Sequence, residues 1–430
     1  MLDLKFVVNN PDIVIADLKK RGQEEKITIV KELQGLYSQW LKLKQEQDRL
    51  RNRRNIISEE INKLQKQKKD ISEKVKEIKE LPHKIKEVEF QQEEINLKIK
   101  NHLFNIPNIL HKSVPIGKDD TENKVVKKWG TLPKFKFTPQ HHQDILENLD
   151  KADFKRSTKV SGARFYYLKN EIVLLELALI QFALEHLMKK GFTPILTPNL
   201  VKEEILEGAG YLPKGKEDIY YIKDQDLCLV GTSEQAIAGL HKDEIIPEEQ
   251  LPLKYAGFSP CYRTEAGSHG KDTKGIFRTH QFNKVEQFIF AHPDQSWKLF
   301  DELMNNSETL FQKLKIPYRV VSVCTGDIGM VASKKYDIEA WMPGQQEGKG
   351  AYREVTSCSN CTAYQSTRLN VKYINEDGEK AYLHTLNNTA IATSRTMVAV
   401  IENYQQKDGS IKIPTVLQKY MNGIKKITKK

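Results

Sequence analysis

Within a chain of 430 residues, the side chains best suited to chemistry lie between Phe258 and Phe290, FSPCYRTEAGSHGKDTKGIFRTHQFNKVEQFIF. The stretch reads as two strands joined by a loop. Arg263 and Glu265 stand two apart, which on a strand puts a guanidinium and a carboxylate on one face. The middle, 266–277, carries Gly267, Gly270 and Gly275 among polar residues and is expected to be a mobile loop. Arg278 follows, and then Phe282, Lys284 and Glu286 share one strand face while Val285 and Gln287 take the other. Arginine suits bidentate phosphate recognition, an aromatic ring can stack on a base, and an inward carboxylate suits an ammonium or a hydroxyl. The set fits a nucleotide held beside a small amine-bearing molecule. The same spacing also fits an ordinary hairpin with its charges in solvent, and spacing alone does not choose between them.

Other groups carry chemistry more weakly. Glu354 and Ser357 are hard oxygen donors of the kind Mg²⁺ prefers when it also touches phosphates. Cys358 and Cys361 have CxxC spacing, which raises zinc. No second Cys/His pair lies at finger-like distance, so buried thiols are expected and structural zinc is not. Gly231-Thr232-Ser233-Glu234 follows an apolar strand, Leu227 to Val230, and reads as an N-cap starting a helix at 234–240.

The elements that must position these residues can be read next. The chain is long enough for two or three domains and a large core. Charged residues make up 29% and the apolar set 39%, as in a soluble protein. A net charge of +11, from 68 basic and 57 acidic residues, is compatible with a polyanionic partner and equally with a Lys-rich composition. Five cysteines, Cys228, Cys261, Cys324, Cys358 and Cys361, form an odd set that fits a reducing cytosol. The N-terminus lacks the basic-then-apolar order of a signal peptide, and the most apolar segment, Ile172 to Met188, is broken by Glu176, Gln181 and Glu185. A cytoplasmic protein without a membrane span is expected.

Residues 1 to about 26 read as a lead-in with one small helix, Pro11 near its start. Leu33, Leu36, Trp40, Leu43, Gln47, Leu50, Arg54, Ile57, Ile61 and Leu64 then step by threes and fours. The pattern resumes through Ile71, Val75, Ile78, Ile85, Val88, Gln92, Ile95 and Ile99, which is sustained coiled-coil spacing. A turn at 66–71 gives two arms of similar length, each on the order of 50–60 Å, and leaves Pro82 as a kink. Gln47 and Arg54 on the seam would cost stability and help fix register. Residues 103–135 carry the Pro, Asn and Asp punctuation of a linker. Beyond Asp150 the texture becomes mixed. Gly162 to Leu168 is expected as a strand, 171–190 as a helix capped by Asn170 and ended by Gly191, and Phe192 to Pro198 as a strand. Helices are also expected from Thr396 to Tyr404 and over 414–426.

Arg-x-Glu, a Gly-rich loop and then Arg278-x-x-x-Phe282-x-x-x-Glu286 resembles motif 2 of the class II aminoacyl-tRNA synthetases, and the whole chain resembles the seryl-tRNA synthetases among them. The resemblance implies an α+β fold: a class II antiparallel β-sheet flanked by helices, with an N-terminal antiparallel α-helical coiled-coil arm. It divides the chain into a tRNA-binding coiled-coil domain at 1–104, a linker at 105–135 and a catalytic domain at 136–430. Helix 171–190, Gly-Phe and the strand ending at Pro198 are similar to motif 1, which builds the homodimer interface in that class. His384 to Arg395 resembles motif 3, with Asn387-Asn388-Thr389-Ala390 where many bacterial members have Asn-Gly-Ser-Gly. The pattern is closer to archaeal-type members. The Gly-to-Ala change is expected to stiffen a turn there.

Site residues follow from the same resemblance. Serine would be held by Thr232, Glu234, Arg263, Glu286, Asn387 and Thr389, with Glu234 facing its ammonium and Glu286 and Thr389 its hydroxyl. ATP would be held by Arg263, Thr264, Glu265, Arg278, Phe282, Glu354, Val355, Thr356, Ser357 and Arg395. Within that set, Arg263 and Arg395 carry the catalytic charge and Phe282 stacks on adenine. Glu265 contacts the base or orders the loop, and Mg²⁺ sits on Glu354 and Ser357. The implied activity is that of an ATP- and Mg²⁺-dependent serine–tRNA ligase, which forms seryl-adenylate and passes serine to the 3′ end of tRNA(Ser), with tRNA(Sec) left open. Basic residues of the arm, among them Arg49, Arg51, Arg53, Arg54 and Lys66 to Lys69, would meet tRNA phosphates. A threonyl, prolyl or glycyl enzyme would share motifs 2 and 3 but not the arm. A non-catalytic tRNA-binding paralogue would be expected to have lost motif residues that are all present here.

Overall fold

The computed structural model describes residues 1–213, 215–267 and 272–429, so part of the 266–277 loop, Gly270 included, lies outside the described residues. The chain forms two compact units, one of residues 2–109 and one from Leu110 onward together with Met1.

In the first unit, two short helices, Leu4–Asn9 and Pro11–Lys20, replace the single one expected, because Pro11 begins the second at a position where no N–H is needed. Helices α1 (Ile27–Lys66) and α2 (Ser72–Asn105) then pack on each other. Cross-pairs Arg51–Glu89, Arg53–Glu77 and Lys74–Glu60 move down one helix as they move up the other, so the two run antiparallel. The turn falls at 67–71 as expected, with Lys68 at φ 54 and Asp70 accepting the Ser72 N–H at 2.9 Å. Leu50, Ile57, Leu81 and Ile85 bury the seam. Pro82 lies inside α2, which runs on past it rather than turning there. One detail differs: Arg54 keeps the heptad phase but lies exposed, since a long cationic stem can carry its head into water.

The second unit is built on an eight-stranded sheet: β1 (Lys124–Trp129), β2 (Thr193–Leu196), β3 (Leu253–Tyr262), β4 (Gln281–Ala291), β5 (Tyr318–Ser322), β6 (Lys334–Met342), β7 (Ala351–Asn360) and β8 (His384–Ala392). Their spatial order is β1-β5-β6-β7-β8-β4-β3-β2. Every neighbouring pair is antiparallel except β2 and β3, which are parallel. The segment expected as a linker supplies β1, which pairs with β5 at the sheet edge. Behind the sheet, helices α4 (Glu171–Met188), α6 (Ser296–Lys313) and α7 (Thr393–Asn403) bury Leu175, Leu179, Leu303, Phe311, Val398 and Ile401 against Val285, Ile289 and Ile338. A short helix α3 (His142–Asn148) precedes them, and α5 (Ser233–Ala238) lies on the opposite face. There Gly257 of β3 lets α5 sit directly on the strand, since an added Cβ would meet Ser233 Oγ at 2.7 Å.

Several local expectations are corrected. Gly162 to Leu168 is not one strand. Gly162 (φ +93) and Arg164 (φ 61) take left-handed conformations, and only Tyr167–Leu168 pairs, with Ala152–Asp153. Asn170 stands at the N-cap of α4 with φ 57 and makes no side-chain capping bond. The helix expected over 414–426 is Thr415–Gln418 plus one 3₁₀ turn, stopped by positive φ at Asn422 and Gly423. Helix α7 begins at Thr393, so Arg395 lies in its first turn rather than before it.

Candidate active site

A cavity of about 340 Å³ opens on the sheet face away from α4, α6 and α7. Strand alternation supplies its floor: Phe282, Lys284 and Glu286 from β4, Asn387 and Thr389 from β8, and Glu354, Ser357 and Ser359 from β7. Two irregularities make this set possible. Between Thr389 and Ile391 the pairing of β8 with β4 slips by one residue, which leaves Ala390 as a bulge rather than in the turn expected there. Between Glu354 and Thr356 the pairing of β7 with β6 slips likewise at Val355. Glu354 and Ser357, three apart, would face opposite ways on a regular strand; the bulge brings both to the cavity.

One end holds two buried carboxylates. Glu286, 1% exposed, accepts from the Thr389 hydroxyl at 3.0 Å and lies 2.8 Å from Lys284 Nζ. Glu234, 7% exposed, accepts from the Tyr211 hydroxyl (2.9 Å), Gln365 Nε2 (2.9 Å) and Asn387 Nδ2 (3.1 Å). Burial and the nearby charge of Glu286 push Glu234 above the ordinary carboxylate range. Thr232 does not reach the cavity: its hydroxyl oxygen accepts the Glu234 N–H at 3.2 Å and so holds the first turn of α5. This end can take a small cation with a hydroxyl beside it.

The other end is cationic. Arg263 and Glu265 lie just past β3, which stops at Tyr262, and Glu265 takes φ 54, so the strand-face argument does not apply to them. Arg263 nevertheless lines the cavity, its guanidinium 5.4 Å from the Phe282 ring centre, with Nε and Nη2 each 3.4 Å from the Gly231 carbonyl. Arg278 donates to Glu265 at 2.6 Å. Arg395 lies 3.1 Å from the Glu354 carboxylate and 5.0 Å from the Phe277 ring centre. The side chain of Glu354 is 49% exposed because the open cavity lets solvent reach it. Burial works against its charge, and Arg395 and Lys335 more than offset that, leaving its carboxyl below the usual range. Its neighbour Asp337, opposite Ser357 on β6, is pushed up to about 7 by burial and by the charge of Glu354.

Of the expected residues, Val355, Thr356 and all the others line the cavity except Thr232 and Thr264; the Thr264 hydroxyl donates to the Glu217 carbonyl instead. Tyr211, Gln365, Lys335, Arg353, Asp272 and the Ile328–Ala332 segment belong to the site or its supports and were not singled out from the sequence. None sits in a spaced motif, although Arg353 directly precedes Glu354. Cys358 and Cys361 are buried thiols, both raised by burial, and Cys361 Sγ lies 3.7 Å from Asn387 Nδ2.

Comparison with known proteins gives two family matches: residues 1–110 with the seryl-tRNA synthetase N-terminal domain, and residues 220–404 with the tRNA synthetase class II core domain (G, H, P, S and T). The serine–tRNA ligase of Methanospirillum hungatei is 52% identical over 424 residues, 98% of this chain and 99% of that one. That of Pyrococcus horikoshii is 48% identical over 448 residues, 99% and 97% of the two chains. Among solved structures, seryl-tRNA synthetase from Pyrococcus horikoshii complexed with ATP superposes with a TM-score of 0.91 at 46% identity, covering 100% of both chains. Cytoplasmic serine–tRNA ligase from Naegleria fowleri in complex with AMP gives 0.88 at 34% identity, covering 100% of this chain and 99% of that one.

Proposed function

The chain belongs to the seryl-tRNA synthetase family, and on that footing we propose that its central cavity activates serine with ATP and that the protein charges tRNA(Ser) with the product. One observation carries the residue assignment: a single cavity places two buried carboxylates at one end and three arginines, Arg263, Arg278 and Arg395, around the rest.

Serine enters with its ammonium toward Glu234 and its hydroxyl toward Glu286 and Thr389. Its carboxylate oxygen attacks the α-phosphorus of ATP in line. The new O–P bond forms as the bond to the bridging oxygen breaks, and pyrophosphate leaves with the electron pair. Arg263 spans the serine carboxylate and the α-phosphate, while Arg278 and Arg395 meet the β and γ end. Phe282 offers its ring to adenine, so the guanidinium now over it must share or cede that face. No protein nucleophile is required, because positioning and fixed charge supply most of the acceleration. The 3′ terminal hydroxyl of tRNA then attacks the adenylate carbonyl, and AMP leaves.

Glu354 and Ser357 fit Mg²⁺: a solvent-reached carboxylate and a hydroxyl, both hard oxygen donors, share the wall beside the arginines. When bound with ATP, the ion would neutralise triphosphate charge. Alanine is rejected because it brings no hydroxyl to the bonding capacity that Glu286 and Thr389 keep beyond their own contact, a difference of roughly 10⁴-fold in sites built around a hydroxyl.

The arm, residues 27–105, meets tRNA through basic side chains such as Arg49 and Lys66–Lys69 at the tip, a contact that salt weakens. An apolar strip on α4 and β2, with Leu196 74%, Leu177 56% and Met188 55% exposed, supports a homodimer through this face. A monomeric mass in solution at micromolar concentration would refute that. Among the described residues no helix is long and apolar enough to cross a membrane, and we place the reaction in the cytoplasm. The deciding experiment is serine-dependent ATP–pyrophosphate exchange. Serine should support it, and proline, glycine and threonine should not; exchange with any of these three in place of serine would overturn the assignment.

A further inference from the structure

The segment 275–278, which leads back into the sheet at β4, is tied from two sides to one buried carboxylate outside the cavity. Glu402 lies on α7 seven residues after Arg395 and is wholly buried. His142, the first residue of α3 and also wholly buried, gives it two bonds: Nδ1 at 2.9 Å and backbone N–H at 3.2 Å, both to Oε1. His142 Nε2 accepts the backbone N–H of Ile276 at 3.1 Å. A ring nitrogen that accepts carries no proton, so in the neutral imidazole the proton sits on Nδ1 and points at Glu402. The fit is close. Gly275 has φ +77, and an added Cβ would lie 2.0 Å from His142 Nε2.

The second connection runs through side chains. Glu402 Oε1 accepts from Gln345 Nε2 at 3.0 Å and Oε2 from the Gly344 N–H at 2.9 Å. Gln345 Oε1 accepts from Arg353 Nη1 at 3.1 Å, and Arg353 Nη2 donates to Asp272 at 2.6 Å. Asp272 in turn lies 3.5 Å from Arg278 Nε. Phe277, next to the pinned Ile276, lies 4.2 Å from the Arg353 guanidinium and 5.0 Å from that of Arg395.

The grouping of His141, His142 and Glu402 is tight enough to suggest a cation site. It is not built as one. Both His142 nitrogens are engaged, and the Glu402 oxygens already face four N–H donors. We propose instead that Glu402, through His142 and through Gln345–Arg353–Asp272, is a positioning residue that fixes Phe277, Arg278 and Arg395 for the triphosphate before ATP arrives. Preordering those cations removes an ordering cost from ATP binding and leaves the serine end untouched. The inference rests on the reading of the cavity as an ATP and serine site.

The test uses the full-length protein and serine-dependent pyrophosphate exchange, with KM for ATP and for serine and the thermal midpoint of each variant. Gln at 142 reaches the Nε2 position and can still accept from Ile276. Asn reaches only the Nδ1 position and leaves that N–H unpaired. His142→Asn should raise the ATP KM about tenfold, the cost of one lost buried hydrogen bond, with the serine KM within about twofold. His142→Gln should recover most of that loss. Equal ATP KM values for the two variants, or both KM values rising in step with a falling thermal midpoint, would overturn the proposal. Should the His142 variants not fold, Gln345→Ala cuts the other connection at a less buried position. A rise of about threefold in ATP KM supports the brace, and an unchanged one overturns it. A wild-type protein without any exchange would instead sink the reading of the cavity, and the brace with it.

Discussion

The coiled-coil arm and the central cavity are held together on different length scales. In the arm a narrow apolar seam of Leu50, Ile57, Leu81 and Ile85 is flanked by ion pairs such as Arg51–Glu89 and Arg53–Glu77, whose side chains are half-exposed. In the cavity the bonds are buried and join distant parts of the chain: Thr389 to Glu286, Gln365 to Glu234 and Asn387 to Glu234 span 103, 131 and 153 residues. Exposed pairs contribute about 0–1 kcal/mol each, whereas removing one partner of a buried charged group strands the other at several times that cost. The arm can therefore change one position at a time. In the cavity a single change leaves several other groups unsatisfied.

The sharpest way to break this contrast is Glu286→Ala. Serine-dependent pyrophosphate exchange should fall by at least about 10³-fold, with ATP binding changed little. Exchange near the wild-type rate would show that the buried end does not read serine. Next in size is deletion of 34–98, bridged by a short Gly/Ser link. Exchange should survive, while tRNA charging drops by about 10²-fold and the salt sensitivity of charging flattens. Undiminished charging would remove the arm from tRNA binding. A subtler effect concerns pH. Because Glu234 is held above the ordinary carboxylate range, its protonated form persists into mildly acidic solution and cannot pair with an ammonium. The serine KM should fall as pH rises through that range; a flat serine profile would argue against the pairing. The smallest effect belongs to the arm surface. Arg53→Ala should change stability by less than about 1 kcal/mol in chemical denaturation, and a larger loss would contradict the picture of independent surface pairs.

The sequence disclosed these two regions unequally, for the same reason. Heptad spacing is a local signal, and it located α1, α2 and the turn near 67–71, because each seam position repeats its neighbour's information. The strand pair β3–β4 and the alternation of Phe282, Lys284 and Glu286 were equally legible. Local rules misled at Arg263 and Glu265, where positive φ at Glu265 takes the backbone out of the strand. They also could not reveal Tyr211 and Lys335, which line the cavity, or Gln365, which holds Glu234, all from elements far apart in the chain. Nor does a spacing of three on a strand announce that Glu354 and Ser357 share a face. Only the bulge at Val355 does that, and one unpaired residue has no signature of its own.

Those bulges at Val355 and Ala390 also bear on how such a cavity can change over generations. A missing residue at either point would rotate every side chain beyond it by half a period and turn part of the lining into the hydrophobic interior. Substitution can therefore be sampled along both strands, whereas insertion or deletion there is closed to drift. A chain-length count across these two strands should stay constant in descendants whose residue identities have diverged widely.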